Sequence, residues 1–156
     1  SEIMNILKQD ERIGFIAWKD DQTNHVVSPL SDDELTFSTK GAYTDDYKQS
    51  WQLDGNTYIL DLKVTNEGHI QYQDYPDALA RLHGALHAQE GHVIIVDAKP
   101  SYEFIEEHSH DHAGGGAHGS LHKVDSVVPM IVTGTNELPE YNRLVDVKKW
   151  ILRLLK

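Results

Sequence analysis

Apolar and polar positions change period along this chain, and the changes mark its elements. In "EIMNILKQ", Ile3, Ile6 and Leu7 share one side of a helical wheel, which predicts a short opening helix. "RIGFIAWK" (12–19) is apolar, β-branched and aromatic, as strands are. "HVVSPL" and "ELTFST" are shorter strand candidates separated by the turn-like "SDD". "NTYILDLKV" (56–64) alternates in part, and "GHIQYQDY" reads as its hairpin partner. The intervening "TNEG" (65–68) supplies Asn and Gly, which tolerate the positive φ of tight turns.

A helical period then takes over. "YPDALARLHGALHAQEG" repeats Leu79, Leu82 and Leu86, with Pro76 expected at the first helical position, Asp77 in the first turn and Gly91 as the stop. "HVIIVDAK" (92–99) is an unbroken apolar run from Val93 to Val96, the pattern of a buried strand. "DSVVPMIVTGT" (125–135) reads as another buried strand, with Pro129 placing it at an edge or a strand start. "VDVKKWILRLL" sets Val147, Trp150, Ile151, Leu154 and Leu155 on one face, with Asp146 as its expected N-cap. The expectation is a single domain over 1–156. Residues 1–70 form a small, partly antiparallel β cluster, and 71–156 form an α/β segment.

Composition narrows the function classes. A chain of 156 residues can bury a core without disulfides, and it has no cysteine. That fits a reducing, cytoplasmic setting and excludes cysteine nucleophiles and cysteine-ligated metals. The net charge of −11 repels phosphate backbones and anionic headgroups, so neither nucleic acid nor membrane is an expected partner. No apolar run reaches the roughly 18 residues a membrane span needs. Ser1 in place of methionine fits either processing or a chain cut from something longer.

The stretch "HSHDHAGGGAHGSLHK" (108–123) concentrates five histidines and four glycines. Neutral imidazole is the commonest metal ligand, so the loop could hold zinc or nickel alone, or remain a solvated loop with incidental affinity for metal. It could also contribute one ligand to a larger site. Ordering so glycine-rich a segment costs roughly 1–2 kcal/mol per residue, which weighs against the autonomous site. His83 and His87 have a metal-compatible i,i+4 spacing, but it is also that of a polar helix flank. Asp21 and His25 are similarly spaced, as such pairs often are by chance. No Gly-Lys-Ser/Thr phosphate loop is present.

From about residue 51 onward the chain resembles the C-terminal part of the alkaline phosphatase superfamily, nearest its type I phosphodiesterase/nucleotide pyrophosphatase branch. The phrases that carry the likeness are "YPDALARLHGAL", "VIIVDAKPSYEF", "GGAHGSLHKVDSVVPMIVTGT" and "LVDVKKWILRLL". The likeness implies the C-terminal portion of an alkaline phosphatase-like α/β/α layer. It also implies metal-dependent hydrolysis of a small phosphate ester through a covalent phospho-Ser/Thr intermediate. His118, in the "HG" element, would bind one of two catalytic metals, usually zinc, about 4 Å apart. Gly119 would let the backbone turn beside it.

Departures from the pattern matter equally. The family's nucleophile, its early metal-binding Asp, its Asp-x-x-x-His pair and its Asp-His-Gly motif precede the matched segment and are not found here. Asp111-His112 is an Asp-His pair, but Ala113 replaces the glycine; with His110 these are weaker metal candidates than His118. Ser101 stands where the family has glycine, and His108, His110, His112 and His122 have no role the likeness supplies. Ser120 and the loop glycines would shape the site. The resulting expectation is a C-terminal portion, beginning shortly after the Asp-His-Gly motif and inactive alone. Sheet edge or apolar face left open by truncation would favour a homodimer. The alternative is a non-enzymatic module that uses the loop 108–122 to bind metal or a protein.

Overall fold

A computed structural model describes residues 2–105, 107–108 and 119–155. Its described residues form two units, Ser1–Ser126 and Val127–Lys156.

The first unit is mixed α/β. Helix α1 (Glu2–Leu7) leads into strands β1 (Ile13–Asp20), β2 (Thr23–Val27), β3 (Glu34–Asp45) and β4 (Ser50–Gly55). A single 3₁₀ turn (Thr57–Leu60) precedes β5 (Leu62–Val64) and β6 (His69–Tyr72). Helix α2 (Ala78–His87), β7 (Ile94–Ala98) and the one-turn α3 (Lys123–Ser126) complete it. The strands make one seven-stranded sheet in the order β5-β6-β3-β2-β1-β7, with β4 also paired to β3. Every pairing is antiparallel except β3 with β6.

Alternation along β1 divides the core between two faces. Phe15 and Ala17 point to the face covered by α2, where Leu79, Leu82 and Leu86 are fully buried against Phe37, Trp51 and Leu62. Burying three leucines contributes about 5–8 kcal/mol before entropy is counted, so α2 is held by packing more than by propensity. Ile13 and Ile16 point to the other face, where Val27, Val96 and the α1 residues Met4 and Leu7 meet them.

Several expectations hold: the opening helix, β1, the β5–β6 hairpin with its turn at 65–68, and the leucine face of α2. Others are corrected. The 56–64 segment begins as a 3₁₀ turn capped by the Asn56 side chain, and only 62–64 are strand. Helix α2 starts at Ala78, because Asp77 adopts a left-handed φ of 53° as its N-cap; Pro76 therefore lies outside. Strand β7 forms as expected but is only partly buried. It is an edge of the antiparallel sheet among the described residues, with Ile94 exposed.

In the second unit the expected strand at 125–135 does not form. Ser126 ends α3, and 127–135 carry no regular pairing. An apolar run supplies burial potential but needs a partner edge to become a strand, and Val128 and Ile131 stay uncovered. Helix α4 (Leu144–Leu154) begins after Arg143 rather than at Asp146. Asp146 sits in its first turn and accepts hydrogen bonds from Arg143 Nε (2.7 Å) and Nη2 (3.2 Å). Trp150 is its buried anchor.

Candidate functional site

The C-terminal end of β7 meets the segment Gly119–Ser126, the far root of the histidine-rich loop. This junction is built from charges placed by three elements. Asp97, on β7, is 4% exposed. Its Oδ1 accepts the Leu121 N–H at 2.9 Å, while its Oδ2 is buried with no hydrogen-bond partner among the described residues. Burial pushes its carboxyl above the usual range, opposed by the Leu121 bond and by the charges of Arg81 and His122.

Arg81 comes from α2, one helical turn beyond Asp77. Its Nη1 reaches Pro76 O (3.2 Å), Leu121 O (3.0 Å) and Ser126 Oγ (3.2 Å), and its Nη2 reaches Ser120 O (3.5 Å). Nη1 has two hydrogens and three acceptors, so one bond is shared. Ser126 Oγ donates in turn to His122 O at 2.9 Å, closing the turn on itself. Ser120 Oγ donates to Asp125 Oδ2 at 2.6 Å. That hydroxyl is therefore engaged by a carboxylate, and it accepts the His122 N–H at 3.2 Å.

His122 fills the outer side. Its ring stands edge-on to Tyr75 at 5.4 Å between centroids, and its Nε2 lies 3.6 Å from Asp74 Oδ2. Its Nδ1 accepts the Val124 N–H at 3.3 Å. Lys123 Nζ holds Asp74 at 2.6 Å and lowers that carboxyl below its ordinary value. The Tyr75 hydroxyl is pushed up to about 12 by burial and by the charges of Asp97, Asp74 and Asp61. The junction is a clasp: it fixes the backbone of Ser120–Ser126 against β7 and α2.

A second polar cluster lies under α2. Asn24, fully buried on β2, donates through Nδ2 to Phe37 O (3.0 Å) and to His83 Nδ1 (3.2 Å). His87 Nε2 donates to Asn24 Oδ1 at 3.2 Å. These bonds leave the His83 proton on Nε2. The two rings lie 4.1 Å apart, so the i,i+4 pair stacks over one amide. Both imidazoles are shifted below their ordinary value, His83 by burial and then by His87, His87 by burial and then by Lys19. A third cluster surrounds Asp45, whose carboxylate takes bonds from Tyr47 N, Gln49 N, Gln49 Nε2, Trp51 Nε1 and Tyr72 OH, all at 2.8–2.9 Å.

His118, His112, Asp111 and His110, the metal candidates of the sequence, lie outside the described residues. His108 is exposed. Asp21 and His25 serve other ends: Asp21 takes a positive φ in the β1–β2 turn, and His25 stacks on Trp18 and bonds Glu34 at 2.7 Å. Among the described residues no three His, Asp or Glu side chains converge as metal ligands. Asp97, Arg81 and Asn24 carry the polar architecture and drew no notice in the sequence. The one available signal was a lone carboxylate inside an apolar run, in "VIIVDAK".

No family model, curated protein or solved structure matches the chain. No described helix is long and apolar enough to cross a membrane.

Proposed function

We propose that this chain is the C-terminal portion of a metal-dependent phosphodiesterase or phosphatase of the alkaline phosphatase type. In that reading His118 contributes one metal ligand, and the nucleophile and remaining ligands lie in a preceding segment. The observation that carries the reading is the clasp. Arg81 and Asp97 fix Ser120–Ser126 by backbone hydrogen bonds, which sets a firm root two residues after the His-Gly pair. A ligand on a firm root is oriented at a smaller entropic cost than one in a free glycine loop. The uncovered apolar run 127–132 adds support, since it has strand composition and lacks only a partner edge. The finer layering follows: the sheet becomes part of a larger α/β/α layer. The metal would stabilise charge on the phosphoryl oxygens. This chain's share of the work would be to hold the ligand-bearing turn in place.

The test compares the 156-residue chain with a longer protein that includes the upstream reading frame. The chain alone should not turn over bis-p-nitrophenyl phosphate. The longer protein should, and His118→Ala should abolish its activity. Turnover by the chain alone, or full activity of the longer His118→Ala protein, refutes the proposal. Tight zinc binding by the chain that survives His118→Ala but is lost when His108, His110 and His112 are changed would favour the metal-binding module.

A further inference from the structure

The face of the sheet next to α2 carries an unassigned cleft of about 410 Å³, lined by Thr39, Lys40, Gln49, Ser50, Trp51, Ala80, His83 and Gly84. Its chemistry departs from that of the molecule around it. The chain carries a net charge of −11, yet among the described residues no carboxylate lines this cleft. The residues that line it carry donors instead.

Some of those donors are not used internally, whereas Trp51 Nε1 is given to Asp45. Lys40 makes no ion pair, and neither the Ser50 nor the Thr39 hydroxyl has a protein partner, among the described residues. His83, a lining residue, spends Nδ1 on Asn24, so its Nε2 carries the hydrogen without any need for protonation. Gln49 Nε2 is committed to Asp45 (2.9 Å) and Asp77 (2.9 Å). Those two carboxylates stand behind the Gln49 wall. Both are buried, Asp45 satisfied by five donors and Asp77 held by Gln49.

The backbone supplies an independent sign. Opposite Trp51, β3 carries a bulge that inserts residues 40–42 between Thr39 and Tyr43. Lys40 sits there at φ 65°, a conformation that lysine rarely adopts. Gly41 is required beside it, since a Cβ would lie 2.0 Å from Gln52 N. Bulges re-aim side chains, and strained residues gather where a particular placement is needed. On the opposite wall Gly84 has nothing within 4 Å of where a Cβ would be, so the helix leaves the cleft open.

We propose that this cleft binds a small phosphate-class oxyanion through Lys40, Ser50, Thr39 and His83. The proposal stands on this geometry and does not depend on the hydrolase reading. The test is a titration of the ¹⁵N-labelled chain with inorganic phosphate at constant ionic strength, followed by NMR. The Lys40, Ser50 and Gly84 amides and the His83 ring should shift together and saturate in the millimolar range. Lys40→Gln should weaken binding about fivefold, the loss expected of one solvent-exposed ionic contact. Gly84→Glu should abolish binding by placing a carboxylate in the cleft. That change also removes a helical glycine, so the fold is retained. Lys8→Gln, elsewhere on the surface, should change nothing. Failure to saturate by about 50 mM phosphate overturns the proposal. So does binding that is unaltered in both Lys40→Gln and Gly84→Glu, because the anion would then sit elsewhere.

Discussion

Replacing Arg81 by Met tests the clasp at its centre. Methionine keeps the unbranched stem and its packing on α2 but removes the donors to Pro76 O, Leu121 O, Ser126 Oγ and Ser120 O. A hydrogen bond from a charged donor is worth about 1.5–3 kcal/mol, but these acceptors are half-buried and regain some water. The bond at 3.5 Å contributes little. The net local loss is therefore about 2–3 kcal/mol. Burial lowers the Arg81 pKa from its ordinary value, with Asp77 and Asp97 opposing that shift; loss of its charge should raise the Asp97 pKa further. Native-state amide exchange reads the effect at one site. The Leu121 N–H, bonded to Asp97, should exchange roughly 30- to 150-fold faster, the factor that 2–3 kcal/mol corresponds to. Amides of β1, β2 and β3 should slow or speed by far less. If Leu121 exchange is unchanged, or if every amide accelerates equally, Arg81 is not a local clasp.

Asp45→Asn should cost about 3–5 kcal/mol, because an amide nitrogen would confront donors from Trp51 and Gln49 or from Tyr47 and Gln49; for a unit of this size that is about 10–20 °C in Tm. Burial raises the Asp45 carboxyl, but bonds from Trp51, Gln49 and Tyr72 outweigh it and hold the group below its ordinary value. Its contribution is therefore present above an unfolded pKa of about 4 and lost as pH falls through the lower folded value, so melts of parent and variant should converge in acid. Asp97→Asn should act oppositely. Its folded pKa is raised, so the ionised parent is penalised at neutral pH, and the variant should match or exceed the parent's stability there. In urea titrations that advantage should vanish as pH falls toward about 4. Gly41→Ala should cost at least about 3 kcal/mol, since its Cβ would overlap the Trp51–Gln52 backbone; a thermal midpoint within a few degrees of the parent would show that the bulge can relax.

What the sequence made legible was periodicity. Strand β1, the β5–β6 hairpin and α2 announce themselves because their burial pattern repeats within a few residues. Strand β4 gives no such signal: "SWQLDG" is short and polar, and its two buried positions, Trp51 and Leu53, are too few to set a period. Helix α2 starts later than its pattern predicts because Asp77 takes a left-handed conformation that its residue type permits but does not require. The polar clusters were illegible for a different reason. Asn24 meets His83 and His87 across 59 and 63 residues, and Asp97 meets Leu121 across 24. No local pattern encodes such pairings; they exist only once the sheet has placed β2 and β7.

The apolar run 127–132 gives the sharpest division between the chain as it stands and the larger protein proposed for it. Its composition is that of a buried strand, yet Val128 is 77% exposed and Ile131 86% exposed. Take the double replacement Val128→Asp and Ile131→Asp. In this chain neither side chain is covered, so the cost should stay within about 0.5 kcal/mol each, and binding of a hydrophobic dye should fall. In the longer protein the same positions would form a strand with both faces covered. Each carboxylate would then enter a dry layer without a partner and cost several kcal/mol, enough to prevent folding. One substitution pair thus separates two physical situations by whether apolar surface finds an edge to pair with. Thermal melts of both forms decide it. If the short chain loses many degrees, the run is already buried and its exposure has been misread. If the long form tolerates both aspartates, the run is no strand there either, and the layered reading loses its support.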